Sequence, residues 1–240
     1  MNGYVLGVSG SPSQNSNTDR LVKIVLESTG METEFIKLSD LDIGPCRACM
    51  NCVSTNECIM DDDYRELSKK VRRADALVVG SPAFFGMPSG FTKAFLERLY
   101  SFRHLNLQLK GKVGAAVAVG SASEKAVADA ITGIMHFQGL DVVGSVAAKG
   151  TICCSVCGVG EHCAYATWNA YCEEFTGQDF GLEEAYKDYV VKLPDNVVYV
   201  KGSAKILKKI RDAEEEPEVV RQAEELGRKI RERVESKRKE

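Results

Sequence analysis

Apolar runs and amphipathic stretches alternate along the first 150 residues. GYVLGVS (3–9) is apolar on both sides and bounded by Gly and Ser-Pro, which predicts a short buried strand. From about Thr18 the pattern changes to a helical period, with Leu21, Ile24, Val25 and Ser28 along one face. ETEFIKL (32–38) alternates and predicts a second strand. DDDYRELSKKVRRA (61–74) places acids first and bases last, the charge order a helix dipole favours. DALVVGSP (75–82) is a third strand, ending in a Ser-Pro turn. SGFTKAFLERLYSF (89–102) predicts a helix with Phe91, Phe95, Leu96 and Leu99 on its apolar face. KVGAAVAVG (112–120) and DVVGSVAAKG (141–150) are two more strands on either side of a helical stretch at 122–139. Strands that are apolar on both faces and alternate with helices imply a parallel sheet covered by helices. The expected fold is therefore a doubly wound, five-stranded α/β domain.

Residues 151–215 break this rhythm. They hold five of the nine cysteines, several aromatics and a strand-like NVVYVKG (196–202). A final helix over 217–236 opens with Pro217, which suits a first helical turn, and carries a stripe of Val219, Ala223, Leu226, Ile230 and Val234. One such stripe is enough to pack on a sheet. The reading is thus a single domain (1–240) with a long cysteine-rich excursion before its last helix, rather than a domain with a free coiled-coil tail.

Composition narrows the class. With 240 residues, 44% of them hydrophobic and 27% charged, the chain is an ordinary globular protein, and a net charge of -3 gives no electrostatic case for nucleic acid. No apolar run approaches the ~20 residues of a membrane span, and MNGYVLGVSG lacks a basic start and a cleavage site. No membrane association and a cytoplasmic location are expected. In that compartment clustered cysteines bind metal or do redox work more readily than they form structural disulfides.

The first strand runs into SGSPSQNSNT (9–18), which is neither a G-x-G-x-x-G fingerprint nor a Walker loop. It is rich in hydroxyls and amides instead: Ser9, Ser11, Ser13, Asn15, Ser16, Asn17 and Thr18. Between a strand's carboxyl end and a helix N-terminus, these groups and the free backbone N–H donors can hold a phosphate without a lysine. A monophosphate held by neutral donors is what a flavin mononucleotide (FMN) site in a flavodoxin-like fold needs. A helix cap with surplus serines is the simpler alternative. SPAFFGMPSG (81–90) after the third strand and GSASE (120–124) after the fourth sit where the same crevice would be. The first could lay backbone and ring edges along an isoalloxazine; the second, from Gly120 and Ser121, could give backbone donors to its pyrimidine edge. Three loops on one rim make a ligand crevice more plausible than any one alone.

PCRACMNCVSTNEC (45–58) spaces Cys46, Cys49, Cys52 and Cys58 as C-x2-C-x2-C-x5-C. Zinc sites usually pair two C-x2-C knuckles across a long gap. Consecutive x2 spacings suit a chain that wraps a cuboidal 4Fe–4S cluster, each thiolate taking a different iron. The longer last gap lets Cys58 return to close its own cluster. Zinc and reactive thiols remain open on spacing alone.

These motifs resemble the iron–sulfur flavoproteins of anaerobic archaea and bacteria, a branch of the NADPH-dependent FMN reductase group. The resemblance rests on GSPSQNSNT, on the compact cysteine motif followed by MDDDY, and on SPAFFGMPSG with the lysine and arginine of TKAFLERL behind it. It implies that Ser9, Ser11, Ser16, Asn17 and Thr18 hold the FMN phosphate. It also implies that Pro82, Ala83, Phe84, Phe85 and Gly86 line the ring, and that Cys46, Cys49, Cys52 and Cys58 ligate a 4Fe–4S cluster. A homodimer or homotetramer is implied as well. The expected function is an FMN-dependent oxidoreductase that exchanges single electrons with a ferredoxin-like donor, or takes hydride from NAD(P)H, and reduces a small acceptor such as quinone, oxygen or peroxide. No side chain then needs to act as acid or base, because the chemistry belongs to the cofactors. The rivals are a plain NAD(P)H:FMN or quinone reductase with structural cysteines, a zinc-stabilised interaction protein, and an electron carrier without turnover.

The excursion adds Cys153, Cys154, Cys157, Cys163 and Cys172. Cys154 and Cys157 form one C-x2-C, and His162 with Cys163 would complete a second metal set. Buried small hydrophobes are the alternative. Tyr165, Trp168 and Tyr171 are expected to pack the excursion as a lid or interface.

Overall fold

The N-terminal βα unit shows how local chemistry sets the frame. Strand β1 (Tyr4–Ser9) is buried along its whole length and leads through a polar loop into helix α1 (Asn17–Thr29). Ser16 caps that helix: its Oγ accepts from Asp19 N at 3.2 Å, and Asp19 Oδ2 accepts from Ser16 N at 3.0 Å. Gly30, at φ 62°, ends it in the left-handed conformation. The buried face is Leu21, Val22, Val25, Leu26 and Thr29, so the helix is rotated from the expected face, and Ile24 and Ser28 lie at its margin. The cause is a glycine gap beneath it. A Cβ on Gly7 would stand 2.6 Å from Leu26 Cδ1, and one on Gly80 2.5 Å from Val22 Cγ2, so these two side chains sit directly on sheet backbone.

The computed structural model describes residues 3–120, 123–150, 190–192, 198–200, 213 and 216–239. After α1 come β2 (Glu32–Lys37), α2 (Tyr64–Arg73), β3 (Ala76–Phe84), the two-residue β4 (Met87–Pro88), α3 (Gly90–Arg98), β5 (Val113–Gly120), α4 (Glu124–Phe137) and β6 (Asp141–Lys149). A short ribbon of β7 (Val190–Lys192) and β8 (Val198–Val200) follows, and helix α5 (Pro217–Lys237) ends the fold.

The sheet order is β2-β1-β3-β5-β6, all parallel, with β4 paired antiparallel to β3. Counting the long strands alone, this is the five-stranded 2-1-3-4-5 order of flavodoxin-like folds, as the alternation of runs predicts. Helices α1 and α5 cover one face, where Val219, Ala223, Leu226, Ile230 and Val234 all enter the core. Helices α2, α3 and α4 cover the other. In α3 the residues Phe95, Leu96 and Leu99 are buried as expected, but Phe91 is 40% exposed. Phe91 lies in the first turn of α3.

Two compact units result: 1–149 with 213–240, and 150–212. In the second, β7 and β8 pair antiparallel from Val190↔Val200 to Lys192↔Val198, with β8 inside the expected NVVYVKG strand. Ser121, the five excursion cysteines, His162, Tyr165, Trp168 and Tyr171 lie outside the described residues. Among those described, no helix is long and apolar enough to cross a membrane.

Candidate functional site

The strand order reverses between β1 and β3, and the loops after β1, β3 and β5 leave the same, carboxyl rim of the sheet. Ser9 pairs in register with Gly80, and Ser81 and Pro82 with Ala118 and Val119. A crevice at this switch point is the general ligand position of open α/β sheets.

The first loop is built around a buried ion pair that sequence reading missed. Asp19 is 1% exposed and its carboxylate is fully engaged. Ser9 Oγ donates to it at 2.6 Å, Ser16 N at 3.0 Å and Lys37 Nζ at 2.7 Å. Lys37, the last residue of β2, also donates to Ser13 O at 2.7 Å. The hydroxyls of Ser9 and Ser16 therefore shape the loop. Asn17 Oδ1 accepts from Arg20 Nη2 at 2.6 Å and from Ala213 N at 3.0 Å. Ser11 and Thr18 are buried, whereas Pro12, Ser13, Gln14 and Asn15 are exposed. The first N–H groups of α1, at Asn17 and Thr18, have no intrahelical acceptor, and the positive end of the helix dipole lies there. The net charge of Asp19 with Lys37 is zero, so this terminus keeps its attraction for an anion. Beside the hydroxyls of Ser9 and Ser16, which are engaged within the loop, the backbone N–H groups at the helix start can serve an anion. The spacing of Lys37 from the loop, across a whole helix, is why no local motif announces the pair.

The second loop is locked to the first. Ser89 Oγ donates to Gly10 O at 2.6 Å, and Thr92 Oγ1 contacts Gly80 O at 3.3 Å. Ser89 N donates to Ser81 Oγ at 2.9 Å. A Cβ on Gly10 would lie 1.9 Å from Thr92 Oγ1, so only glycine fits where the two loops meet. Pro82, Ala83 and Phe84 are half-buried at the end of β3. Phe85 and Gly86 form a two-residue hairpin turn with φ of 51° and 77°. Phe85 is 92% exposed in a conformation that costs a non-glycine residue about 1–2 kcal/mol. At the third loop a Cβ on Gly120 would stand 2.7 Å from Ala83 Cβ, so β5 closes tightly against β3 beneath the rim.

The cysteine segment lies between β2 and α2, against the far end of α3. Cys46, Cys49, Cys52 and Cys58 are all free thiols, and all four line one cavity with Met50, Ile59, Glu97 and Arg98. Ala48, Met50 and Asn56 have φ of 51°, 59° and 56°, so the chain coils through three left-handed non-glycine residues. Conformations of this kind cost on the order of 1–3 kcal/mol each and persist where the surroundings hold them. Glu97 Oε2 accepts from Cys46 N at 3.1 Å, and Ala48 N donates to Cys46 Sγ at 3.4 Å. Asn56, 1% exposed, staples the segment to the next loop: its Oδ1 accepts from His104 N and Leu105 N at 2.9 and 3.0 Å, and its Nδ2 donates to Asn106 Oδ1 at 2.8 Å. Hydrogen bonds from Asn51 and the charge of Arg47 lower the Cys49 pKa. Burial, then the neighbouring cysteines, raise that of Cys52. Among the described residues no three ligating side chains converge on one point, as a single tetrahedral ion at about 2.3 Å from each sulfur requires. The four thiols share the lining of one cavity without closing on a common centre.

Helix α3 ties both places together. Ser89 and Thr92 at its start clamp the two crevice loops; Glu97 and Arg98 at its end hold the cysteine segment. The two ends are roughly 12 Å apart at 1.5 Å per residue.

The sequence profile described as NADPH-dependent FMN reductase matches residues 4–151. An iron–sulfur flavoprotein of Methanosarcina thermophila is 32% identical over 189 residues, 76% of this chain and 92% of the relative. Another, of Methanocaldococcus jannaschii, is 41% identical over 121 residues, 49% of this chain and 62% of the relative. Among solved structures, RosB with a bound riboflavin-phosphate intermediate aligns over 61% of this chain and 64% of its own, with a TM-score of 0.52 at 22% identity; that likeness is one of fold.

Proposed function

The chain belongs to the NADPH-dependent FMN reductase family, in its iron–sulfur flavoprotein branch, and is an FMN-dependent oxidoreductase; from that premise we propose that it also carries a 4Fe–4S cluster and passes electrons from a ferredoxin-like donor to a small acceptor such as quinone, oxygen or peroxide. The observation that carries this reading is the enclosure of one cavity by Cys46, Cys49, Cys52 and Cys58. When bound, the cluster supplies one-electron exchange and the flavin both one- and two-electron exchange, so together they couple a single-electron donor to a two-electron acceptor.

The protein's part is binding, orientation and electrostatics. Backbone donors of the 10–18 loop and the α1 dipole take the phosphate. The Asp19–Lys37 pair keeps that loop in shape. Pro82, Ala83, Phe84, Phe85 and Gly86 would line the ring, and the backbone from Gly120 would serve its pyrimidine edge. The four thiolates take the irons, and the amide of Ala48, which donates to Cys46 Sγ, stabilises charge on sulfur. The hydrogen bonds from Asn51 that lower the Cys49 pKa favour its thiolate form.

The test is iron and acid-labile sulfide per chain on protein purified without oxygen. About four of each support the cluster; zinc or no metal overturns it. A second reading, direct hydride transfer from NADPH to FMN with structural cysteines, is favoured by the family description itself. Bleaching of the bound flavin by NADPH with no partner protein present supports that reading, and the need for reduced ferredoxin supports the first.

A further inference from the structure

Arg98 has one nitrogen that packing does not explain. It is the last residue of α3 and 1% exposed. Its terminal nitrogens are employed: Nη1 donates to Gly44 O at 3.0 Å and to Asp62 Oδ2 at 2.5 Å, and Nη2 to Asp62 Oδ1 at 2.9 Å. The guanidinium also lies 4.5 Å from the Tyr64 ring centroid. Burial works against its charge, but Asp62 and Cys58 outweigh that and keep it protonated. Nε differs: it is buried and has no hydrogen-bond partner among the described residues. A buried donor left unpaired costs about 1–3 kcal/mol, and more when the group is charged. Yet Arg98 stands in the wall of the cysteine cavity, on the side of Cys58. An arginine kept only to hold Asp62 and Gly44 needs its fork and nothing more.

We propose that Nε–H of Arg98 is a hydrogen-bond donor to the cluster from the Cys58 side of the cavity, and that it raises the cluster's reduction potential. The proposal rests on the cluster reading above. One-electron reduction adds one negative charge, shared among iron and sulfur; no bond is made or broken and no proton moves. A donor fixed against a sulfur stabilises the reduced form more than the oxidised one, and hydrogen bonds to sulfur are among the factors that set such potentials. Because Asp62 offsets the net charge of the guanidinium, the oriented N–H supplies most of the effect. Arg98 is thus a tuning residue, placed on the same helix whose other end holds the flavin loops.

Arg98→Lys keeps a cation for Asp62 and removes Nε–H. With iron and sulfide per chain unchanged, the expected result is a tenfold shift of the one-electron reduction equilibrium against the reduced cluster, about 59 mV in midpoint. An unchanged midpoint at full iron content overturns the proposal. Should the variant lose its iron, the unaltered protein decides: with arginine labelled at Nε by nitrogen-15, pulsed electron paramagnetic resonance of the reduced cluster should show a nitrogen coupling that follows the label. A coupling insensitive to the label overturns the proposal. A natural chain that binds no iron overturns the cluster reading, and this inference with it, and that outcome is visible in the metal analysis before any variant is made.

Discussion

Asn56 is the residue on which the shape of the cysteine segment turns. Its buried amide closes four hydrogen bonds, to His104 N, Leu105 N and both oxygens of Asn106. Its backbone is left-handed at φ 56°, a conformation asparagine tolerates better than most residues. Asn56→Ala therefore loses the bonds and gains strain, and it should destabilise the metal-free protein by about 2–3 kcal/mol. Asn56→Gly loses the same bonds without the strain, so it should be milder by about 1 kcal/mol. Denaturant midpoints give the totals, and faster amide exchange at His104 and Leu105 locates the loss. Equal stability of the two variants would show that the left-handed backbone stores no strain. In sequence, Asn56 is one polar residue in a run of them, since nothing local marks that its partners lie some 50 residues on. Arg98 and Lys37 are hidden in the same way: their partners, Asp62 and Asp19, come from other elements.

At the scale of elements the sequence is far more informative, because period and bounding residues are local properties. Among the described residues, the five long sheet strands and the five helices lie where the sequence pattern places them. Helix faces are less legible, since a face is set by what lies underneath. Val22 and Leu26 turn inward in α1 because Gly7 and Gly80 leave room for them. The 9–18 loop is legible as a loop but its internal bonding is not: Ser9 donates to Asp19 and Ser16 caps the helix. The β3–β4 hairpin is the opposite case, a turn whose strain points to use. Phe85 holds a left-handed conformation while 92% exposed, so its ring contributes almost nothing to the core. Phe85→Gly relieves about 1–2 kcal/mol of strain and costs roughly 0.5–1 kcal/mol in added chain entropy. Stability of the flavin-free protein should stay within about 1 kcal/mol of the original, while FMN affinity falls severalfold, as titration of the apoprotein would measure. Unchanged affinity would remove Phe85 from the flavin crevice.

Across the whole molecule the two ends of the chain meet on one face of the sheet. Helix α5 arrives after the second compact unit, yet it packs on α1, whose N-terminus follows the 10–18 loop. Asp141, at the start of β6, anchors its far end through Arg233 Nε at 2.6 Å and Lys237 Nζ at 2.9 Å. Gly227 governs the middle. A Cβ there would stand 2.5 Å from Val25 O and 2.6 Å from Ser28 Cβ, so the helices touch backbone to backbone at that point. Alanine at position 227 gains about 1 kcal/mol of helix propensity over glycine, which in an exposed helix would stabilise the protein. Here the methyl meets a carbonyl that cannot swing aside without moving α1, and overpacking of this kind costs about 1–3 kcal/mol or more. Contact should win over propensity. Gly227→Ala is expected to lower Tm by about 2–4 °C for each net kcal/mol lost, and to weaken FMN binding in step, because displacement of α1 carries the 10–18 loop with it. A thermal melt with and without FMN measures both. A variant as stable as the natural chain would mean that α5 slides freely over α1, and that the flavin loop owes nothing to the end of the chain.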